Sequence, residues 1–224
     1  MNLPIWSHTF LDNYRNCPLK AYRKYVAKDL PKEPETQALK WGNAVHDVME
    51  RRLTPIPTTE VPGPLPPEMQ AYEPFARILE PMPHLRAEKK YGITAQGHWT
   101  GFFAADVWGR GKVDVSTWND ARTTAFIVDW KTGKRREDPS ELLVNAVLIK
   151  ANLPDLKTIT GAYIWLGDNQ MGTVHDLSDT AATLNGIRTT MAEVEERLAK
   201  KDWPATPNPL CGWCPVKDCK HNRS

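Results

Sequence analysis

The sequence predicts a mixed α/β fold, and the order of its segments is what predicts it. Residues 36–53 and 178–201 repeat apolar side chains at spacings of three and four, as one face of a helix does. Strand-like runs fall near 86–93, 100–108, 111–118, 124–131 and 158–166, with a shorter one at 172–177. The helix former SELLVNAVLIKA at 140–151 separates the last two long runs. Helices and strands that alternate along the chain argue for helices packed on a sheet.

Each element has a local reason. Ser7 can cap a short helix running to about Asn16, and Pro18 suits the first turn of a second one. In the helix over 36–53, Leu39, Gly42, His46, Met49 and Leu53 share a face. Nine of the 19 prolines fall between Pro55 and Pro83, so 54–83 is expected to be an extended connector. Gly109-Arg110-Gly111 and Asn119-Asp120 supply turns around the strand at 111–118. Ser178 is the expected cap of the last helix, whose apolar stripe is Leu184, Ile187, Met191, Val194 and Leu198. One domain is expected over 1–224: an N-terminal helical segment at 7–30, a core at 36–201, and a cysteine-bearing tail at 202–224.

Composition narrows the function classes. The chain has 224 residues, 41% hydrophobic and 25% charged, so it is not wholly disordered. No apolar run approaches the roughly 20 residues of a membrane span, and no membrane partner is expected. MNLPIWSHTF lacks the basic and apolar blocks of a signal peptide, which predicts the cytoplasm, or the host cytoplasm if the chain is virally encoded. The net charge of +2 does not by itself announce a nucleic-acid partner. Local patches must carry that argument.

The chemistry-bearing pattern is Gly111-Lys112-Val113-Asp114 followed by Asp129-Trp130-Lys131-Thr132-Gly133-Lys134. On a strand, Asp129 and Lys131 point to the same side, and an antiparallel neighbour at 111–118 can set Asp114 beside them. Two carboxylates suit Mg²⁺ or Mn²⁺, and a lysine there can position or activate a water and offset charge on phosphorus. An acid two residues before a lysine is weak evidence alone, because about two such triplets are expected by chance in a chain of this kind. Four occur, at Glu88–Lys90, Asp129–Lys131, Asp155–Lys157 and Asp218–Lys220. The triplet at Asp129 alone ends an apolar run (AFIV) and has an aspartate-bearing strand at hairpin distance. A surface ion pair at a strand end is the plainer alternative.

In this order these residues resemble the PD-(D/E)xK nuclease superfamily, and its RecB-like branch in particular. Trp41-Gly42-Asn43-Ala44-Val45-His46 is similar to that branch's helical G-x-x-x-H motif. Glu141-Leu142-Leu143-Val144-Asn145-Ala146 stands where the branch has Q-L-x-x-Y-A. Ser7-His8-Thr9-Phe10 through Cys17-Pro18 resembles its N-terminal segment. The resemblance implies a restriction-endonuclease-like core, a central mixed sheet flanked by helices. It also implies His46 as a metal ligand beside Asp114 and Asp129, with the Trp130 backbone carbonyl as a further ligand. Glu88 reads equally as a residue of that site or as an ordinary strand-edge carboxylate, and Glu141 as an accessory group.

Cys17 with Cys211-x2-Cys214-x4-Cys219 resembles the iron–sulfur staple of AddB-type and CRISPR-associated RecB-like nucleases. There a [4Fe–4S] cluster ties the two chain ends together. Four thiolates also make a closed zinc site, and both readings stay open. Basic groups stand near these parts: Arg15, Lys20, Arg23, Lys24 and Lys28; Lys134, Arg135 and Arg136; Lys217, Lys220, His221 and Arg223. They are solvated charge or phosphate contacts. Trp130, Trp213 and Tyr22 are candidates for stacking on bases.

The resemblance implies a Mg²⁺- or Mn²⁺-dependent deoxyribonuclease, an exonuclease acting on single strands or duplex ends in DNA processing or recombination. Two other classes remain: a non-catalytic DNA-binding module with a structural zinc or iron–sulfur site, and a partner-binding protein with a zinc-ribbon tail. The second accounts for the tail and not for the strand motif.

Overall fold

A computed structural model describes residues 3–31, 34–54 and 64–223. Its sheet runs β1 (Arg86–Ile93), β2 (Trp99–Thr100), β3 (Gly109–Trp118), β4 (Thr124–Lys131), β5 (Thr158–Trp165), β6 (Gln170–Met171) and β7 (His175–Asp176). The spatial order is β2-β1-β3-β4-β5-β6, with β7 also on β5. β1, β3 and β4 form an antiparallel meander, and β5 lies parallel to β4. The β4-to-β5 crossover passes through α5 (Ser140–Asn152), as a parallel connection requires. This is a mixed sheet flanked by helices.

Helices pack on both faces of the sheet. Helices α1 (His8–Asn16), α5 and α6 (Thr180–Lys200) supply one core, with Phe10, Leu11, Leu142, Leu148, Ile187 and Met191. Helix α3 (Gln37–Leu53) and helix α4 (Glu73–Leu79) supply the other, with Val45, Met49, Leu53, Ala76 and Leu79. β4 feeds the two in alternation: Ala125 and Ile127 enter the first, Val128 and Trp130 the second. β3 does not alternate so simply. Val113 packs in the first core and Val115 in the second, although two residues apart on a strand should share a face. The strand therefore rotates between them, at Asp114. Pairs Ala87↔Val115 and Lys89↔Val113 put Glu88 of β1 opposite that fault, and Glu88 holds a left-handed backbone at φ 49°.

Several expectations need correcting. Residues 101–108 are not a strand: β2 stops at Thr100, and two turns follow, closed by Ala104 N–H to Gly101 O and Val107 N–H to Ala104 O. Gly109 and Gly111 make no turn but sit inside β3, where a Cβ would strike packed neighbours. At Gly109 it would stand 1.9 Å from Trp6 Cε2, and at Gly111 2.7 Å from Leu148 Cδ1. The later part of the proline-rich stretch is helical, a 3₁₀ turn over Pro67–Tyr72 and then α4, each with proline in its first turn. That position costs nothing, because the missing N–H has no intrahelical partner there. Residues 55–63 of that stretch lie outside the described residues. Leu39 is exposed, so the buried face of α3 is Val45, Met49, Arg52 and Leu53. Asp179, not Ser178, caps α6 by accepting from Ala182 N–H, while the Ser178 hydroxyl accepts from Ile159 N–H. Of the strand expected at 172–177 only β7, His175–Asp176, is paired, and β6 lies ahead of it at Gln170–Met171.

The cap of α1 by Ser7, Pro18 opening α2 (Pro18–Ala21), and the spans of α5, β1 and β4 follow the sequence reading. Trp6, just before α1, is fully buried and bridges to Gly109, which pins the N-terminal segment to the sheet. Gly109→Ala should drive a methyl into that indole and cost about 1–3 kcal/mol, the usual effect of overpacking. The urea midpoint should fall with an unchanged slope. An unaltered midpoint would mean that Trp6 does not rest on this glycine.

Candidate metal centre and active site

The fault in β3 organises the polar groups. The β3–β4 ladder runs as far as Val115↔Val128, and continuing its register would set Asp114 directly against Asp129. The Asp114 carboxylate instead accepts the Trp130 N–H, Oδ2 to N 2.9 Å. Its other oxygen lies 3.5 Å from His46 Nδ1, carried by α3. His46 Nδ1 is also 2.7 Å from Glu88 Oε1, and Glu88 Oε2 pairs with Lys112. Ligand atoms of His46, Glu88 and Asp114 all lie within 4.8 Å of one another. Glu88 thus stands in the cluster, brought there by its left-handed backbone. Gly42, one turn before His46, lets α3 come close to the end of β4: a Cβ there would lie 3.4 Å from Thr132 Oγ1.

Asp129 and Lys131 point the same way, as alternation predicts, with Lys131 Nζ 2.6 Å from Asp129 Oδ2. Glu141, in the first turn of α5, holds the same ammonium at 2.6 Å. Lys131 also lies over the Tyr163 ring, 5.4 Å from its centre, and the Tyr163 hydroxyl donates to Asp138 O. Behind Glu141 stands His8 of α1, 3.6 Å away, its other nitrogen sharing a hydrogen bond of 3.2 Å with Ser140 Oγ. Sequence reasoning missed His8 and Lys112. His8 carries no sequence signal beyond lying after a capping serine, because its contacts span more than 130 positions.

Burial and crowding set the charges. Asp114 is pushed up to about 8, by burial first and then by Glu88, against the pull of the Trp130 N–H. Asp129 is also raised, by burial and then by Asp114, while Lys131 opposes. Burial disfavours the charge on Lys131, yet Asp129 and Glu141 outweigh it and hold the ammonium above its ordinary range. Burial likewise opposes the charge on Glu141, but His8 and Lys131 lower it to about 2. Glu88 follows the same pattern, lowered by His46 and Lys112 against its own burial. Two adjacent buried carboxyls held toward their neutral forms are the chemistry a divalent cation relieves, and hard oxygen donors suit Mg²⁺ or Mn²⁺. The donor set fits such an ion.

The remaining sequence candidates are scattered. The Trp130 ring is buried in the second core, so it does not stack on bases. Tyr22 is stacked on Trp203 at 4.9 Å, whereas Trp213 is 82% exposed. Lys134, Arg135 and Arg136 are exposed on the loop after β4, and Arg135 is paired with Glu137 at 2.6 Å. Cys17, Cys211, Cys214 and Cys219 are free thiols lining one cavity of about 70 Å³. No three of their sulfurs lie within 4.8 Å of one another. The chain ends meet around that cavity: Arg23 Nη1 reaches both oxygens of Asp218 at 2.9 Å, and Asn208 Nδ2 donates to Asn16 O.

The fold and these groups define a class. The chain matches the PD-(D/E)XK nuclease superfamily over residues 5–219 and belongs to it. Its mixed sheet with flanking helices is the restriction-endonuclease-like core. No curated protein matches the chain at a significant level. Among solved structures, that of SSO0001 is similar, with 13% identity and a TM-score of 0.48 over 100% of this chain and 89% of that one.

With divalent ions chelated, the raised carboxyl makes a signed prediction. Between the ordinary aspartate value of 3.8 and about 8, folded Asp114 keeps a proton that the unfolded chain gives up. Stability should therefore be greatest at the acid end of that window and fall as pH rises through about 8. Asp114→Asn removes the group and keeps an acceptor for Trp130 N–H. Thermal unfolding in EDTA should then show a shallower decline between pH 5 and pH 8 than in the unaltered protein. An identical decline in the variant would assign it to another group.

Proposed function

We propose that this protein is a divalent-metal-dependent DNA nuclease of the RecB-like kind, an exonuclease that hydrolyses phosphodiester bonds in DNA processing or recombination. The observation that carries the reading is the junction of two sets of groups: His46, Glu88 and Asp114 on one side, Asp129, Lys131 and Glu141 on the other. His46, Glu88, Asp114 and Asp129 would hold the ion, with the Trp130 carbonyl as a further donor. When bound, Mg²⁺ or Mn²⁺ supplies a water of lowered pKa and polarises a phosphate oxygen.

The chain's own residues do the rest. The Trp130 N–H fixes the Asp114 carboxylate, and Lys112 with His46 fixes Glu88. Asp129 and Glu141 clamp Lys131 from two sides and keep it protonated, so it serves as a fixed cation facing the charge that builds on phosphorus. In this reading Lys131 positions the attacking water as a fixed charge. Exposed Lys134 and Arg136, beside the site, supply phosphate contacts.

Lys131→Ala and Asp129→Ala should each abolish Mn²⁺-dependent cleavage of labelled DNA while leaving DNA affinity nearly intact. A loss of several kcal/mol corresponds to about a thousandfold in rate or more. Robust cleavage by purified Lys131→Ala would overturn the assignment. Replacing His46 by Ala should weaken ion binding, with activity partly recovered at high Mn²⁺, since three carboxylates and the Trp130 carbonyl remain. A His46→Ala protein with an unchanged metal dependence would make that histidine structural.

The cysteines we read as the ligands of a [4Fe–4S] cluster that closes the N- and C-terminal segments on each other. Their gathering on one cavity supports this, as does the Asn208 N–H directed at Cys211 Sγ at 3.4 Å, a contact typical of cluster sulfurs. Four thiolates also make a closed zinc site, which is the alternative. Protein prepared without oxygen should be brown and carry about four irons per chain. Cys17→Ser should remove the colour as fully as Cys214→Ser and make the chain more protease-sensitive. Stoichiometric zinc without iron would favour the zinc site instead.

A further inference from the structure

We infer that the face of the sheet beyond the metal centre is a track for unpaired DNA, ending on Phe103 as a base-stacking platform. The inference deepens the nuclease reading by naming its substrate as a single strand. The track begins inside the centre. On β3, Lys112 and Arg110 share one side of the strand short of the rotation at Asp114, and the ion pair of Lys112 with Glu88 turns that side toward the centre. Lys90 of β1 stands opposite Lys112, and Gly92 opposite Arg110. Asp114 and Arg110 are therefore about 13 Å apart along the strand, the reach of a few nucleotides.

The far end is built for a flat, uncharged ring. Loop 101–108 returns close over β1 because Gly92 has no side chain; a Cβ there would stand 2.7 Å from Gly101 O. That loop presents Phe102 and Phe103 edge to face, 4.8 Å between centres. Arg110 lies over the Phe102 ring at 4.8 Å and donates to Phe102 O at 3.4 Å. Lys90 lies 5.7 Å from the Phe102 ring and 5.9 Å from that of Phe103. Yet Phe103 is 78% exposed, and it contributes nothing to either core. An exposed aromatic held between two cations, in line with a centre that cuts phosphodiesters, suits a strand whose phosphates meet Lys112, Lys90 and Arg110. Bases in a duplex are already stacked on one another, whereas an unpaired base has a free face.

Binding can be read apart from cleavage. With divalent ions chelated, fluorescence anisotropy is measured on a labelled single-stranded oligodeoxynucleotide of about 12 nucleotides and on a hairpin duplex. The unaltered protein should prefer the single strand. Phe103→Ala should weaken that binding about tenfold and leave the duplex affinity unchanged, with the melting temperature unmoved because the ring is outside both cores. Phe103→Trp should restore it. Arg110→Gln should reduce the salt slope of single-strand binding by about one. If Phe103→Ala binds and cleaves single strands as the unaltered protein does, the track is overturned and the patch belongs to a protein partner or to none, while the nuclease reading stands. If single-strand binding follows Phe103 but no divalent ion supports cleavage, the nuclease reading fails and the track stands. Equal losses on strand and duplex would also overturn it.

Discussion

The site depends on a single hydrogen bond, from the Trp130 N–H to the Asp114 carboxylate. It replaces the backbone ladder at the point where β3 would otherwise face Asp129 with Asp114 in strict register. A continuous ladder would have kept alternation intact and left Asp114 and Glu88 committed to a regular face. Because the strand rotates there, Asp114 reaches toward His46 of α3 on one side of the sheet while its neighbour Asp129 reaches toward α5 on the other. The local loss of pairing is what lets helices on opposite faces contribute to one centre. Glu88 carries the backbone strain of the same fault on β1, with φ 49°. Strained conformations of this kind persist where surrounding contacts over-determine them, and here His46 and Lys112 do so.

Charge balance follows from that geometry. The centre gathers Glu88, Asp114, Asp129 and Glu141 against Lys112, Lys131 and the imidazoles of His46 and His8. The two carboxyls nearest the fault are raised, while the two outer ones, each clamped by a lysine and a histidine, are lowered. The outer pairs are satisfied within the protein; the inner pair is not. An arrangement that leaves Asp114 and Asp129 under-compensated is poised for a cation and weak without one. Placing Lys131 on the Asp129 side, away from His46, separates the fixed positive charge from the region where an ion would sit.

Much of this was legible in the chain. The strand at 124–131 follows from AFIV and its flanking turn, and alternation alone puts Asp129 and Lys131 together. What sequence could not show is rotation within a strand. Glu88 stayed undecided between a site residue and an edge carboxylate because nothing in RAEKKYGI marks a left-handed residue, and neither glycine nor asparagine occupies the position. Glycine misled in the opposite sense: Gly109 and Gly111 read as turn formers, whereas their role is to let Trp6 and Leu148 approach. Proline misled similarly, since the stretch reads as extended although Pro67 and Pro74 stand in the first turns of helices. The contact of His8 with Glu141 joins the first helix to the fifth, and no local signal predicts such a pairing.

The two ends of the molecule share a logic that the centre imposes. His8 lies on α1, whose N-terminus is fixed by Ser7 and by Trp6 against Gly109, and whose C-terminus leads directly into Cys17. The nine residues of α1 therefore join the cysteine-bearing region to the group that contacts Glu141, and through it Lys131. Arg23 on Asp218 and Asn208 on Asn16 close the same segment from the C-terminal side. A site at the four thiols would thus act on the chemistry without touching it, by fixing the register of α1 against α5. On the proposed reading, α1 would be the link between a centre in the tail and the Lys131 clamp.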